Sequence, residues 1–217
     1  MLVRNEAAED RYLTRVIRDA QRWADTIVVL DDNSIDGTPE LARNLGCIVY
    51  TRDNQTPAWG AEAPARAQLW DLAAQHAGDG WVLVCDADMI LSGDPRPYTQ
   101  SWECDAFAWT LYDLWNSETT FRVDGAWKFG PVTPRPWLFR PSALREPPRW
   151  RESRKIHTGH APANWTGLCG VAPSDMFWKH LGYVQPEHRK KKHAAYLSLK
   201  HDLTAFELAH AQSVADT

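Results

Sequence analysis

The chain is predicted to be an α/β protein built on a parallel-rich sheet flanked by helices. Two observations predict the fold class and a third points to the site. Short apolar runs of strand type, TIVVL (26–30), CIVYT (47–51) and WVLVC (81–85), alternate with segments of helical apolar period. Strands that alternate with helices of this length demand a parallel sheet with helical cover. Two of those runs end directly in acidic residues, Asp31-Asp32 and Asp86-Ala87-Asp88. Ligands of parallel sheets bind at the carboxyl ends of the strands, so both acidic clusters are expected to face one crevice.

The elements follow in order. Leu13, Val16, Ile17, Ala20 and Trp23 make one helical stripe over 9–24. TIVVL is the next strand. Thr38 and Pro39 are expected as N-cap and first-turn proline of a helix that Gly46 stops. CIVYT follows as a strand. Ala65, Leu69, Leu72, Ala73 and His76 then share a helical face that Gly78 closes. WVLVC leads to the carboxylates. From about Pro95 the helical period fades, and strands are expected only at 105–112 and 136–140. Helical pattern returns from about 187 to 211, as one helix or a pair. The chain divides into an α/β half, 1–95, and an irregular half with a C-terminal helical tail, 96–217, within one compact unit.

Composition bounds the reading. The 217 residues are 44% hydrophobic and 24% charged, ordinary for a globular chain with a real core. No apolar run approaches the ~20 residues of a membrane span and no signal peptide is visible, so a cytoplasmic protein is expected. Four cysteines without a CxxC pair fit reduced, mostly buried thiols. The net charge of −4 argues against general nucleic-acid affinity. Twelve tryptophans are many. Trp115, Trp127, Trp137, Trp150 and Trp165 lie in Gly- and Pro-rich surroundings, where some are expected to line a cleft rather than a core.

Asp86 and Asp88 stand at i and i+2, which in a strand is one face. Two like charges there repel unless a cation sits between them or water solvates both. A polar loop and a metal site are both compatible with this stretch alone.

The order of motifs breaks the tie. VRNE (3–6), IVVLDDNSIDGT (27–38), Ala65-Arg66, VLVCDADMIL (82–91) and WKHLGYVQPEHRKKKHAAY (178–196) together resemble the family-2 glycosyltransferases of the GT-A fold. The resemblance is weakest between about 113 and 165. It implies a GT-A-like nucleotide-sugar-binding half at 1–95 and an acceptor-side half at 96–217. It implies donor contacts from Asn5, Glu6, Asp31, Asp32, Arg66, Asp86, Arg189, Lys192 and Tyr196. Asp36-Gly37-Thr38 is expected to shape a turn. Asp86 and Asp88 resemble the family's D-x-D, which shares Mn2+ or Mg2+ with the donor diphosphate, and His180 resembles the histidine that completes the metal shell. Oxygen ligands suit either ion, and an imidazole tilts the preference toward Mn2+.

The implied function is transfer of a sugar from a nucleoside-diphosphate donor, a UDP-sugar by expectation, to an acceptor hydroxyl, with inversion expected from most of the family. A glycan, a lipid-linked sugar or a hydroxymethylated nucleic-acid base are the acceptors considered. The chain departs from the family pattern twice. Only Met1-Leu2 precede VRNE, so the first strand is stunted or the natural start lies upstream, and nucleotide identity stays open. Where related sequences carry V-H-E, this chain reads Ile156-His157-Thr158, which leaves His157 as the candidate base beside Glu152, Asp124 and Asp175. A sugar-nucleotide-binding protein without catalysis is the rival reading. A nucleotidyltransferase would want a Gly-rich phosphate loop that the N-terminal region lacks.

Overall fold

A computed structural model describes residues 1–7, 11–52, 57–152 and 158–215. Three parallel strands, β1 (Leu2–Val3), β2 (Val28–Asp31) and β3 (Ile48–Thr51), form one sheet with β2 at its centre. Helix α1 (Leu13–Ala20) buries Leu13, Val16, Ile17 and Ala20, the stripe its spacing predicts. The helix stops there, so Trp23 falls in the following turn and is only partly buried.

Helix α2 (Thr38–Asn44) begins differently from expectation. Gly37 is the N-cap, with φ +80°, and Thr38 is already helical. The Thr38 hydroxyl accepts from the backbone N–H of Glu6 (2.8 Å) and Ala7 (3.1 Å), and donates to Asp36 Oδ1 (2.6 Å). The Glu6 N–H of the incoming N-terminal loop has no other acceptor among the described residues, whereas the Ala7 N–H is shared with Asp36 Oδ2 (3.0 Å), and the need of that loop outweighs capping. Gly46, at φ +83°, ends the helix as predicted.

Helix α3 (Glu62–Ala77) ends at Gly78, φ +55°. Its sealed residues are Ala63, Ala65 and Trp70; Leu69, Leu72 and Ala73 are half-buried and His76 is exposed. The predicted face is therefore only partly right. The reason is a cavity of 420 Å³ between the two sheets, lined by Leu69 and Ala73 from the helix and by Val28, Val82 and Leu138 from the strands. Trp70 instead packs edge-on against Phe139, with centroids 5.5 Å apart.

The strand predicted at 81–85 shortens to β4 (Val82–Leu83), although the Val84 N–H still donates to Trp137 O at 2.9 Å. It pairs antiparallel with β7 (Arg135–Phe139) and so joins a second sheet, ordered β4-β7-β6-β9-β5, with β8 (Cys169–Val171) parallel to β6. Strands β6 (Ala106–Asp113) and β7 lie where the sequence places them. Strands β5 (Met89–Leu91), β8 and β9 (Phe177–His180) were not predicted; each is three or four residues long and shows no readable alternation. Tryptophans fill this sheet's core: Trp109, Trp137 and Trp178 are each less than 2% exposed or nearly so. Cys47 and Cys85 are buried as expected, whereas Cys169 is exposed. The tail is a helix pair, α4 (Pro186–Ser198) and α5 (Ala205–Ser213).

Strand ends set the site. Asp113 closes β6 and His180 closes β9, and the two are register partners; His180 is also paired with Met89 of β5. The turn before β5 carries Asp86 and Asp88. Three strand ends thus meet beside the end of β2 and the N-terminal loop.

In that loop Glu6 is paired with Arg11 at 2.9 Å, yet burial lifts its carboxyl from 4.5 to about 7. The folded protein therefore holds this proton over a pH range in which the unfolded chain has released it. Stability is expected to fall as pH rises from about 4.5 to about 7, by about 3 kcal/mol from this group. Chemical denaturation of metal-free protein should show that slope, and Glu6→Gln should remove most of it. A Glu6→Gln protein with the wild-type slope would refute the assignment.

Candidate active site

A cleft of 1220 Å³ opens over these strand ends. At its acidic end lies Asp88. Asp88 Oδ2 is 3.1 Å from His180 Nε2 and 3.6 Å from Lys192 Nζ, a residue of α4. His180 Nδ1 lies 2.6 Å from Asp113 Oδ1. Burial alone would discharge these groups. Asp88 and Asp113 more than offset that cost for His180, lifting its imidazole from 6.5 to about 9. His180 and Lys192 likewise hold Asp88 well below the usual carboxylate range, against its own burial. Asp88 also raises the Lys192 ammonium, again over a desolvation penalty.

Gly182 explains why this pocket is open. A Cβ built there would meet Asp88 Oδ2, Lys192 Nζ (2.6 Å) and His180 Nε2 (2.8 Å). The missing side chain leaves a space faced by one carboxylate, one imidazole and one ammonium. Among the described residues no group of three or more His, Cys, Asp or Glu converges as a ready-made metal cage.

Asp86 stands differently from the expected ligand pair. Its Oδ1 accepts from Arg66 Nη1 and its Oδ2 contacts His160 Nε2, both at 2.8 Å. Burial would raise its pKa, but Arg66 and His160 hold it well below the normal range. Both oxygens are engaged, and Arg66 is correspondingly occupied. His160, which the sequence reading did not single out, packs its ring on Trp137 at 5.0 Å. Its signal lies in KIHTGHAP (155–162), which holds both His157 and His160.

Asp32 reaches the cleft. It accepts from Ala58 N–H (2.8 Å) and Arg4 Nη1 (3.4 Å), and pairs with buried Arg52. Asp31 does not line the cleft: its Oδ2 accepts the Ser34 N–H at 3.0 Å, an Asx-type turn. Asn5 is likewise structural. Its N–H donates to Ser34 Oγ and its Oδ1 accepts from Ile35 N–H, latching two loops together. Glu6 lines the cleft.

On α4 the expected face splits. Lys192 and Tyr196 line the cleft, and the Tyr196 hydroxyl is hydrogen-bonded to Tyr183. Arg189 does not. Its guanidinium is buried, donates to Tyr183 O (2.6 Å) and Val184 O (3.3 Å), and lies over the Trp115 ring. Bare carbonyls at the turn before α4 claim this cation. His157 lies outside the described residues. Asp124 is exposed and bonded to Arg122, while Glu152 and Asp175 are also away from the cleft. Asp113 and Tyr183 are the other contributors: β6–β9 pairing brings Asp113 to His180 over a long separation, whereas Tyr183 follows His180 by three residues in the turn before α4.

Comparison with known proteins bears on the fold. The family described as Glycosyl transferase family 2 matches residues 1–96. No curated protein sequence matches the chain. Among solved structures, the chain is similar to S. aureus TarS 1–349 in complex with UDP, at 15% identity and a TM-score of 0.53, covering 99% of this chain and 68% of that one. It is also similar to the mannosyltransferase PcManGT from Pyrobaculum calidifontis in complex with GDP-Man and Mn2+. There the identity is 13% and the TM-score 0.50, over 98% of this chain and 68% of that one. At such identities the likeness speaks to fold: residues 1–96 match the Glycosyl transferase family 2 model, and the chain as a whole shares the GT-A fold of these structures.

Proposed function

We propose that the cleft moves a sugar from a nucleoside-diphosphate donor, a UDP-sugar, to an acceptor hydroxyl with inversion at the sugar carbon. The open space at Gly182 carries this reading, because it presents Asp88, His180 and Lys192 to one point. A carboxylate and an imidazole are ligands for a divalent ion, and an ammonium beside them suits a diphosphate. That TarS is complexed with UDP, and PcManGT with GDP-Man and Mn2+, supports the same assignment.

The donor set fits Mn2+ or Mg2+. Asp88 Oδ2 and His180 Nε2 would hold the ion. Such ions bind through few protein ligands plus substrate phosphates and water, so a cage of three or more side chains is not required. When bound, the ion would act as a Lewis acid that stabilises charge on the departing diphosphate. The imidazole favours Mn2+. Asp113 would keep a proton on His180 Nδ1, and a bound ion would displace the Nε2 proton that the metal-free protein carries, so that the Nε2 lone pair becomes the ligand. Asp86 is not needed as a ligand in this scheme.

The remaining steps belong to the chain. Lys192 balances the diphosphate charge as the bond from the sugar carbon to the phosphate oxygen breaks. The acceptor oxygen attacks the opposite face of that carbon, and its proton must go to a base. We assign this role to His160. With Nε2–H donated to Asp86, its Nδ1 is an acceptor, and Arg66 on the other Asp86 oxygen fixes the carboxylate. Asp32 and Glu6 line the cleft where the nucleoside would bind, a carboxylate being a good acceptor for ribose hydroxyls or a uracil N–H. No helix among the described residues is long and apolar enough to cross a membrane.

Thermal shifts with UDP test the donor site. At a hundredfold excess over the dissociation constant, UDP with Mn2+ should stabilise the protein by about 2.7 kcal/mol. Asp88→Asn and Gly182→Ala should each abolish the metal-dependent part, as should chelation; a shift indifferent to chelation would refute the site. His160→Gln should slow sugar transfer, or donor hydrolysis with water as acceptor, by about 10²–10⁴-fold while leaving the UDP–Mn2+ shift intact. Unchanged turnover in that variant would remove His160 from the role of base.

A further inference from the structure

The cleft runs well past its donor pocket. Asp113, at the end of β6, bears on His180 beside the space at Gly182. Strand β7 runs antiparallel to β6, with Arg135 opposite Trp109 and Phe139 opposite Ala106. Arg135 is therefore on the side of the diphosphate pocket, Trp137 with His160 against its ring comes next, and Phe139 marks the far end. Arg135, Trp137 and Phe139 alternate along the strand and all line the cleft. The levels of Asp113 and Phe139 are seven residues apart on β6, about 23 Å of strand. At 1220 Å³ the cleft also exceeds the roughly 300–1,000 Å³ typical of a small-molecule site, which leaves room for a second substrate.

What stands at that far end is aromatic. Trp165 packs edge-on against Phe139, with centroids 5.0 Å apart, and against Trp70 at 6.3 Å. Trp137 and Phe139 are buried, whereas Trp165 is half-buried and lines the cleft, so it is the ring of this group with surface left for a ligand. The rim beside it is made of two segments laid side by side. The Ala163 N–H donates to Arg149 O at 2.7 Å, and the Arg149 N–H donates to Asn164 Oδ1 at 2.8 Å. Ala163 and Arg151, both exposed and both lining the cleft, stand on this rim. An indole takes the C–H face of a sugar ring, and a guanidinium donates to the ring's hydroxyl oxygens.

We propose that Trp165, with the rim at Ala163 and Arg151, is a subsite for a second sugar ring of the acceptor. The acceptor is then an oligosaccharide whose reacting unit lies at Trp137 and His160 and whose next unit lies on Trp165. The inference rests on the glycosyltransferase reading of the cleft and deepens it by naming the acceptor's class. Strand register assigns this end to the acceptor. The donor's diphosphate is placed at Asp88, His180 and Lys192 and its nucleoside at Asp32 and Glu6, while Phe139 and Trp165 lie beyond His160 from the Asp113–His180 end. The strand step from Trp137 to Phe139, roughly 7 Å, is about the length of one sugar unit. A hydrocarbon chain would make no use of the donors of Arg151. A polynucleotide, whose bases also stack on indoles, would bring one phosphate charge per unit to a chain of net charge −4.

The test applies the full chain, saturated with UDP and Mn2+, to an array of immobilised neutral mono- and oligosaccharides, with oligodeoxythymidylate and a decyl chain as spots of other chemistry. At least one oligosaccharide should be held at least tenfold more tightly than the monosaccharide of its terminal unit. Trp165→Ala should lose that tenfold and Trp165→Phe should keep part of it. Because Trp165 also packs on Phe139 and Trp70, Ala163→Leu provides a second variant. It changes an exposed position and crowds the rim, so it should lose oligosaccharide binding at the wild-type melting temperature. UDP affinity in Mn2+, read by calorimetry, should stay at the wild-type value in all three variants. Retention of no oligosaccharide, equal retention of a monosaccharide and its oligomer, or preference for the polynucleotide or the decyl chain would overturn the proposal. Undiminished binding by Trp165→Ala or by Ala163→Leu would do the same. Joint loss of UDP and oligosaccharide affinity in Ala163→Leu would also overturn it, by assigning this end to the donor. Absence of UDP binding to wild-type protein would instead strike the donor site on which the subsite rests, an outcome distinct from all of these.

Discussion

The constraint on which this structure depends is the burial of carboxylates at the ends of strands. Asp32, Asp86, Asp88 and Asp113 all stand near strand ends, Asp32 fully buried and the other three partly so. Each meets a specific partner drawn from elsewhere in the chain: Arg52 for Asp32, Arg66 and His160 for Asp86, His180 and Lys192 for Asp88, and His180 for Asp113. These partners hold Asp86 and Asp88 charged against the cost of burial. Removing one partner from such a pair leaves an uncompensated buried charge, which costs far more than a surface pair is worth. The acidic crevice and the fold are consequently coupled. Strands β5, β6 and β9 have to pair in register for His180 to find both of its carboxylates.

The same arrangement gives the site its chemical polarity. Asp88 and Asp86 are two residues apart, yet their surroundings send them to different tasks. Asp88 faces an imidazole, an ammonium and the space beside Gly182. Asp86 is closed off by a guanidinium and a second imidazole. In an extended segment the two would point to one face and repel. Here residues 84–88 lie outside regular strand, and the turn lets the carboxylates diverge toward separate cations. A shared cation between them is therefore not the only way to relieve their repulsion.

Much of this was legible in the sequence because it is local. The stripe on α1, the strand runs of β2 and β3, the glycine stops after α2 and α3, and the acidic strand ends all lie within short windows. The roles of Asp88, His180 and Lys192 were suggested by motif order, and the structure brings the three together. What sequence could not show are pairings across long separations. Asp113 meets His180 sixty-seven residues away, and His160 meets Asp86 seventy-four away. Thr38 was misread for a related reason: its hydroxyl answers to Glu6 and Ala7, not to its own helix. Arg189 kept the spacing of a cleft residue, but the helix rotates it onto the carbonyls of Tyr183 and Val184.

The second half shows how a core can form where periodicity is absent. Its strands are mostly short, and regular alternation contributes little. Large indoles compensate, because one buried tryptophan removes as much apolar surface as two or three smaller side chains. Trp109, Trp137 and Trp178 make one continuous contact, and the Trp137 N–H donates to Trp109 O at 2.9 Å, so the layer is fixed in angle as well as distance. That rigidity reaches the cleft directly. Trp137 is at once a core residue and the platform under His160. A substitution that loosened the tryptophan layer would disturb the imidazole that contacts Asp86, and through Arg66 the helix α3. Stability and the geometry of the cleft are in this way set by the same side chain, which is why an irregular half of the chain can carry a well-defined site.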